Sequence, residues 1–226
     1  MTSLPFAPFK RTRIAPTPSG YLHRGNLFSF LLTHKLAVSC KADLVLRIDD
    51  LDMLRVEDDY VKSIFQILHS FSIDWQIGPK NFEETATQSQ KNRIDNYHEV
   101  LKSLSDKNLV YACTCSRTDI LKRCGDGGYD GHCREKKISL DANAVSWRLK
   151  TEASKPLVIA DEFGNTSTHY LPKSMFDFVL KRKDGIPAYQ VASLSDDVFY
   201  EIDFIVRGED LFDLTKLVFA QLVLTE

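Results

Sequence analysis

Several things are scarce in this chain of 226 residues, and each scarcity narrows its class. No run of eighteen apolar residues lacks a charge, which excludes a hydrophobic helix long enough to span a bilayer. The start, Met1-Thr2-Ser3-Leu4-Pro5, has neither the basic residues nor the apolar core of a secretory leader, so a cytoplasmic location is expected and no membrane partner. Basic excess is missing too: 29 Lys and Arg against 31 Asp and Glu leave a net charge of −2, which excludes a general polyanion-binding surface. Nucleic acid would have to meet local patches, for which Lys122-Arg123, Arg134 with Lys136-Lys137, and Lys181-Arg182-Lys183 are candidates. No Gly-Lys-Ser/Thr P-loop and no dinucleotide glycine fingerprint occurs. Apolar residues, at 43%, are plentiful enough for a real core in one large domain or one domain with an inserted module.

What is present begins with the loop Pro16-Thr17-Pro18-Ser19-Gly20-Tyr21-Leu22-His23-Arg24-Gly25-Asn26. Thr12-Arg13-Ile14-Ala15 before it reads as a strand. After it, Leu27, Phe28, Phe30, Leu31, Leu32, Leu36 and Ala37 recur at helical spacing and predict a buried face. A loop joining strand to helix places free N–H groups where anions are favoured, Gly20 and Gly25 permit close approach, and His23 can donate to a phosphate oxygen. The chemistry this suggests is charge stabilisation at a nucleotide phosphate, with no covalent step.

A second strand, Leu44-Val45-Leu46-Arg47-Ile48, runs into the carboxylates Asp49, Asp50 and Asp52, and strand ends are where α/β sheets place ligands. Amphipathic helices are predicted from Glu57 to Phe71, with Val61, Ile64, Phe65, Leu68 and Phe71 inward, and from Gln88 to Leu104, with Ile94, Tyr97, Val100, Leu101 and Leu104 inward. From Val145 the texture changes to short β segments, Val145–Leu149, Leu157–Ile159 and Phe176–Leu180.

Of the five cysteines, Cys40 is read as a buried helix residue, while Cys113-Thr114-Cys115 and Cys133 suit a reduced compartment and a metal better than a disulfide framework. Tetrahedral, structural zinc is the expected ion, because four protein ligands leave no position open for water. Chemistry alone leaves the fourth ligand open, with Cys124 and His132 ordinary zinc donors and the Tyr129 phenol a rare one.

His23-Arg24-Gly25-Asn26 resembles the His-x-Gly-His/Asn motif of class I aminoacyl-tRNA synthetases, and Arg13 to Gly20 resembles their glutamyl branch. Arg47-Ile48-Asp49-Asp50-Leu51-Asp52 is similar to that branch's Arg-Ile-Glu-Asp-x-Asp motif, with Asp49 in place of a glutamate held to contact the substrate's α-amino group. Gln88-Ser89-Gln90 resembles its Gln-Ser-x-Arg region. Cys-x-Cys followed by Tyr129-Asp130-Gly131-His132-Cys133-Arg134 resembles the zinc module of the glutamyl-queuosine tRNA(Asp) synthetases, which implies Cys113, Cys115, Tyr129 and Cys133 as ligands.

The resemblance covers nearly the whole chain from Arg11. It implies a Rossmann-like α/β nucleotide-binding fold with an inserted, mainly antiparallel β module that binds zinc and matches the family's connective, acceptor-end-binding region: catalytic halves at 1–110 and 184–226, and the module at 111–183. It implies His23 and Asn26 as catalytic residues, His23, Gly25, Asn26 and Gly208 at ATP, and Arg13, Ile14, Ala15, Pro16, Thr17, Asp49, Tyr189 and Arg207 around glutamate. ATP with Mg²⁺ would be the substrate complex, glutamate and tRNA(Asp) the other partners, and a monomer the expected state. The implied reaction is tRNA-independent formation of glutamyl-adenylate and transfer to queuosine in the anticodon. The family's Lys-x-Ser-Lys-like loop would lie beyond Glu226, which leaves a shortened chain, a split enzyme completed by a second fragment, or a degenerate paralog as readings. The alternatives are part of a glutamate–tRNA ligase catalytic domain and a noncatalytic protein that binds glutamate, adenylate or tRNA.

Overall fold

A strand covered on both faces has no polar side with which to alternate, and the second strand of the first pair shows this. In a computed structural model that describes residues 8–206 except 53–54, 126–127, 153, 161–162 and 164, β1 (Arg11–Ile14) pairs in parallel with β2 (Asp43–Leu46). Leu44, Val45 and Leu46 are all buried, as expected of a parallel sheet covered on both faces. Parallel bridges at Val45–Ile77 and Thr12–Phe204 extend the sheet, giving the order Ile77, β2, β1, Phe204. The helix α1 (Arg24–Cys40) makes the crossover that parallel strands require.

The chain divides into two compact units, Met1–Ile94 with Ser195–Phe212, and Asp95–Leu194 with Asp213–Glu226. In the first, α2 (Asp58–Ser70) presents Val61, Ile64, Phe65 and Leu68 to a core that includes Ile14, Phe30, Leu46, Ile48, Ile73 and Trp75. Phe71, expected on that face, follows the last helical residue and is 48% exposed. Helix α1 buries Phe30, Thr33 and Ala37, with Leu27 and Leu31 packed at the edge. Phe28 and Leu32 face outward, and Cys40 is half-buried at the helix end. Gly78 has φ +112°, and a Cβ there would lie 2.0 Å from the Leu46 carbonyl oxygen, so only glycine lets this edge reach β2.

The predicted helix from Gln88 starts later. Residues Thr85–Gln88 and Gln90–Arg93 form two 3₁₀ turns, and α3 runs Ile94–Asp106. Ser89 caps the second turn through Lys91 N, while Gln90 and Arg93 send their side chains inward to a buried carboxylate, and a tighter backbone serves that purpose.

In the second unit α3 buries Tyr97, Leu101 and Leu104, and an antiparallel sheet has the order β3 (Val110–Cys113), β4 (Ser146–Leu149), β7 (Val179–Lys181). A separate hairpin pairs β5 (Leu157–Ala160) with β6 (Thr166–His169). The strand expected from Phe176 begins only at Val179, because Asp177 takes φ 46° and turns its carboxylate inward to Thr151 and Tyr111. Helix α4 (Arg117–Cys124) follows β3, and α5 (Tyr189–Phe199) carries the chain back into the first unit. No helix among the described residues is long and apolar enough to cross a membrane.

Candidate functional site

The loop after β1 ends in a reciprocal cap. His23 Nδ1 accepts from the backbone N–H of Gly25 at 3.1 Å and Asn26 at 3.4 Å, while Asn26 Oδ1 accepts from His23 N at 3.1 Å. With Nδ1 acting as acceptor, the neutral ring carries its proton on Nε2, a donor available to an anion. His23 is exposed and sits beyond the carboxyl end of a parallel strand, the usual ligand position in such sheets. Gly25 is the residue that admits the ring: a Cβ would meet His23 Cε1 at 3.0 Å and Nδ1 at 3.1 Å. The first free amides of α1 are thus directed at the imidazole rather than at solvent.

Behind this loop lies a buried network of charges that is neutral when counted together. Arg47 Nε reaches Asp49 Oδ1 at 2.6 Å and its Nη1 reaches Asp197 Oδ1 at 2.7 Å. Arg13 Nε meets the same Asp197 oxygen at 3.2 Å. Asp196 receives Arg93 at 2.7 and 3.0 Å and Gln90 Nε2 at 2.9 Å. Burial works against the charge on Arg47, but Asp49 and Asp197 overcome it and hold the guanidinium protonated. Burial pushes the Asp49 carboxyl up against the pull of Arg47, whereas Asp196, also buried, is held below the ordinary carboxylate range by Arg93, Arg47 and Gln90.

Ile14, Ala15, Pro16 and Thr17 continue the strand toward the loop, and the ladder continues with them: Arg47 N donates to Ile14 O and Asp49 N to Pro16 O, each at 2.9 Å. This backbone pairing brings Arg13 and Asp49 into one layer with Asp197. Asp49 is 3% exposed and both its oxygens accept from Arg47, at 2.6 and 3.3 Å. Tyr189 opens α5 in the second unit and is 42% exposed. Arg207 and Gly208 lie outside the described residues. Sequence reading missed the roles of Arg47, Arg93 and Asp197. The available signal was the pair Asp196-Asp197 inside an otherwise uncharged helix, which calls for buried cations.

The second unit holds the cysteine cluster. The sulfurs of Cys113, Cys115 and Cys133 all lie within 4.8 Å of one another, a group able to hold a metal ion. Tyr129 Oη stands 3.3 Å from Cys113 Sγ and 3.8 Å from Cys115 Sγ, and Cys115 and Cys133 are 3.6 Å apart. Tetrahedral zinc with Zn–S of about 2.3 Å and Zn–O of about 2.0 Å requires S···S of about 3.8 Å and S···O of about 3.5 Å, and these three separations are close to those values. Cys124 and His132 are not in the group; His132 instead faces Lys136 at 2.6 Å. Burial opposes ionisation of Cys133, yet hydrogen bonds from Tyr129, the Thr114 backbone and Cys115 hold its thiol down to about 6. Arg123 closes the outer side, donating to Cys115 Sγ at 3.4 Å and pairing with Asp130 at 2.9 Å.

Comparison with known proteins gives this geometry its setting. The catalytic-domain family of class I tRNA synthetases (E and Q) matches residues 10–222. The chain is 36% identical over 203 residues to the glutamyl-Q tRNA(Asp) synthetase of Pseudomonas fluorescens, covering 90% of this chain and 64% of that protein. It is 31% identical over 229 residues to glutamate–tRNA ligase 2 of Syntrophus aciditrophicus, covering 96% of this chain and 46% of that one. In fold it is similar to a glutamate tRNA ligase from Elizabethkingia meningosepticum, with TM-score 0.78 at 21% identity, covering 93% of this chain and 46% of the other. The chain thus spans about two thirds of the glutamyl-Q relative and less than half of the ligases. On the match across almost its whole length, the chain belongs to the class I tRNA synthetases of the glutamate and glutamine group, as their catalytic domain.

Proposed function

We propose that this chain activates glutamate with ATP and transfers it to queuosine in the anticodon of tRNA(Asp). The observation that carries the reading is the cap at α1: an exposed imidazole fixed through Nδ1, with Nε2 left to donate beyond the end of β1. A glutamate carboxylate oxygen attacks the ATP α-phosphorus, the bond to the bridging oxygen breaks, and pyrophosphate leaves with the negative charge. No protein nucleophile takes part. His23 Nε2–H stabilises charge on phosphate oxygen, and Asn26 keeps the ring in place by holding the His23 backbone. Gly25 and Gly208 give the nucleotide close approach.

Glutamate would lie against Arg13, the Ile14–Thr17 segment, Asp49, Tyr189 and Arg207. Asp49 accepts from Arg47, yet each of its carboxylate oxygens retains a lone pair for an ammonium group. In the second step a hydroxyl of the acceptor RNA attacks the acyl carbon, and AMP departs. Catalytic halves at 1–110 and 184–226 flank the module at 111–183 in this reading.

Zinc would be held by Cys113, Cys115, Cys133 and Tyr129, where it would supply structural cross-linking of the module. Tyr129 beside Cys113, Cys115 and Cys133, a grouping that resembles the glutamyl-queuosine zinc module, supports queuosine over the tRNA 3′ end as acceptor.

The test is glutamate-dependent ATP–pyrophosphate exchange without tRNA, followed by transfer of labelled glutamate to tRNA(Asp) with and without queuosine. Exchange that disappears in His23→Ala, and transfer only to the modified tRNA, are expected. Adenylate-analogue binding without exchange would favour a noncatalytic paralog.

A further inference from the structure

The stretch Gln88-Ser89-Gln90 has no part in the proposed reaction, yet its last residue is among the most fully enclosed polar groups of the first unit. Gln90 is 1% exposed and bonds in three directions. Its backbone N–H donates to Asp50 Oδ1 at 2.8 Å, its Oε1 accepts from Leu51 N at 3.1 Å, and its Nε2 donates to Asp196 Oδ2 at 2.9 Å. The first two contacts are reciprocal and join residues 40 and 39 positions apart in the chain. The third ties that pair to the buried charges. Only one orientation of the amide serves both ends: the Leu51 N–H requires an acceptor, and Asp196, which takes Arg93 on both oxygens, requires a donor.

The turn so clamped carries Asp49. Strand β2 ends at Leu46, the Asp49 N–H still reaches the Pro16 carbonyl at 2.9 Å, and the Asp50 N–H folds back to the Ile48 carbonyl at 3.1 Å. Beyond that point the backbone leaves the ladder, and Gln90 fastens it at Asp50 and Leu51. An aspartate has a single carbon between backbone and carboxyl group, so its oxygens go where the turn goes. Arg47 holds those oxygens at 2.6 and 3.3 Å, and Gln90 holds the main chain that presents them.

We infer that Gln90 is a positioning residue for recognition of the substrate's ammonium group: it fixes the Asp49–Leu51 turn so that the short Asp49 side chain meets the α-amino group. The role of Asp49 is that of the proposed function, on which this assignment rests. Gln90 is buried and touches no substrate, so its effect passes through the turn. The consequence is selective: loss of the clamp weakens contact with the ammonium and leaves contacts to the adenosine as they were.

The experiment is calorimetric binding of 5′-O-(glutamylsulfamoyl)adenosine, and of its counterpart without the α-amino group, to the zinc-loaded full chain. The quantity read is the ratio of the two affinities, since a merely structural defect lowers both together. Wild type is expected to prefer the amino compound, and Asp49→Ala to erase the preference. Gln90→Leu keeps the backbone bond to Asp50 and deletes both side-chain bonds. It should cut the preference about tenfold, the share of one hydrogen bond to a charged group, with affinity for the desamino compound unchanged. Gln90→Glu keeps the acceptor for Leu51 but sets a second carboxylate against Asp196, in surroundings that hold Arg93, Arg47, Asp49 and Asp50. Two carboxylates so close share a proton at raised pH, and the protonated side chain donates to Asp196 as the amide does. Its preference should therefore recover as pH falls from about 8 to about 5.5. Wild type, whose Asp49 carboxyl is pushed up by burial, can only lose preference on acidification.

Wild-type preference in Gln90→Leu, or both affinities reduced alike, overturns the assignment, while loss of preference in Asp49→Ala leaves the role of Asp49 standing. If circular dichroism shows Gln90→Leu unfolded, Gln90→Glu decides, and a pH trend no different from wild type overturns the assignment. A wild type that binds the two compounds equally, or neither, removes Asp49 from the ammonium and the Gln90 assignment with it. Preference in a chain without ATP–pyrophosphate exchange counts against the activation reading alone.

Discussion

Asp196→Asn tests whether the buried charges are a single coupled set. Asp196 is 0% exposed, accepts from Arg93 at 2.7 and 3.0 Å and Gln90 at 2.9 Å, and stands 3.7 Å from Arg47 Nε. The amide has the same shape but turns one acceptor into a donor. Gln90 cannot simply flip to suit it, because its Oε1 accepts from Leu51 N at 3.1 Å. Arg13, Arg47 and Arg93 would then face only Asp49 and Asp197, one buried positive charge in excess. Breaking a buried pair by removing one partner costs about 3–5 kcal/mol. Arg93 Nη1 also donates to the Gln88 carbonyl at 3.1 Å, which softens the loss and favours the lower end, about 3 kcal/mol. With a urea dependence of about 2 kcal/mol per molar, the midpoint should fall by about 1.5 M. Fluorescence of buried Trp75 in a Trp147→Phe background reads the first unit. A change below about 1 kcal/mol would refute the coupled-network account. The pH dependence has a fixed sign: Asp196 is held below its ordinary 3.8, so its contribution is present above that value and disappears as pH falls through its native pKa. The gap between wild type and Asp196→Asn should therefore narrow as acid is added.

Gly25→Ala should lower exchange at least tenfold at little cost in stability, since the new Cβ would sit 3.0 Å from His23 Cε1 and push the ring off its cap; unchanged exchange would show that the ring position is unimportant. Gly78→Ala places a Cβ 2.0 Å from the Leu46 carbonyl oxygen at φ +112°, so thermal unfolding should show a loss of about 2–3 kcal/mol. Metal analysis of chelator-free protein should find one zinc per chain. Tyr129→Phe should weaken retention against a competing chelator, and Cys133→Ala should abolish it; Tyr129→Phe with wild-type retention would remove the phenol from the ligand set.

What could be read from the sequence was local. The strand–loop–helix from Thr12 through Ala37 and the inward face of α2 show in a few consecutive turns of chain, and Cys113, Cys115, Tyr129 and Cys133 fall within one short segment. The charge network did not, because Arg93 and Asp196 are 103 residues apart, Arg47 and Asp197 150, and Arg13 and Asp197 184. Periodicity also misjudged segment ends. It ran the α3 helix back into the 3₁₀ turns that aim Gln90 and Arg93 inward, and it ran β7 through Asp177, whose side-chain bonds outweigh strand geometry. The apolar character of α1 all round hid which side faces the sheet, so Phe28, 71% exposed, was read as core.

The first unit is assembled from two stretches of chain, and that has a consequence for its birth on the ribosome. Arg13, Arg47, Arg93 and Asp49 are made early, while Asp196 and Asp197 follow Arg93 by more than a hundred residues. At about 5–20 residues per second, Arg93 waits about 5–20 s for its counter-charge and Arg13 about 9–37 s. During that interval the nascent segment carries two positive charges too many for a dry interior, and water must remain among the apolar groups of β1, β2 and α2. Closure of this core is thereby timed by the arrival of α5, and the intervening unit has the chance to fold first.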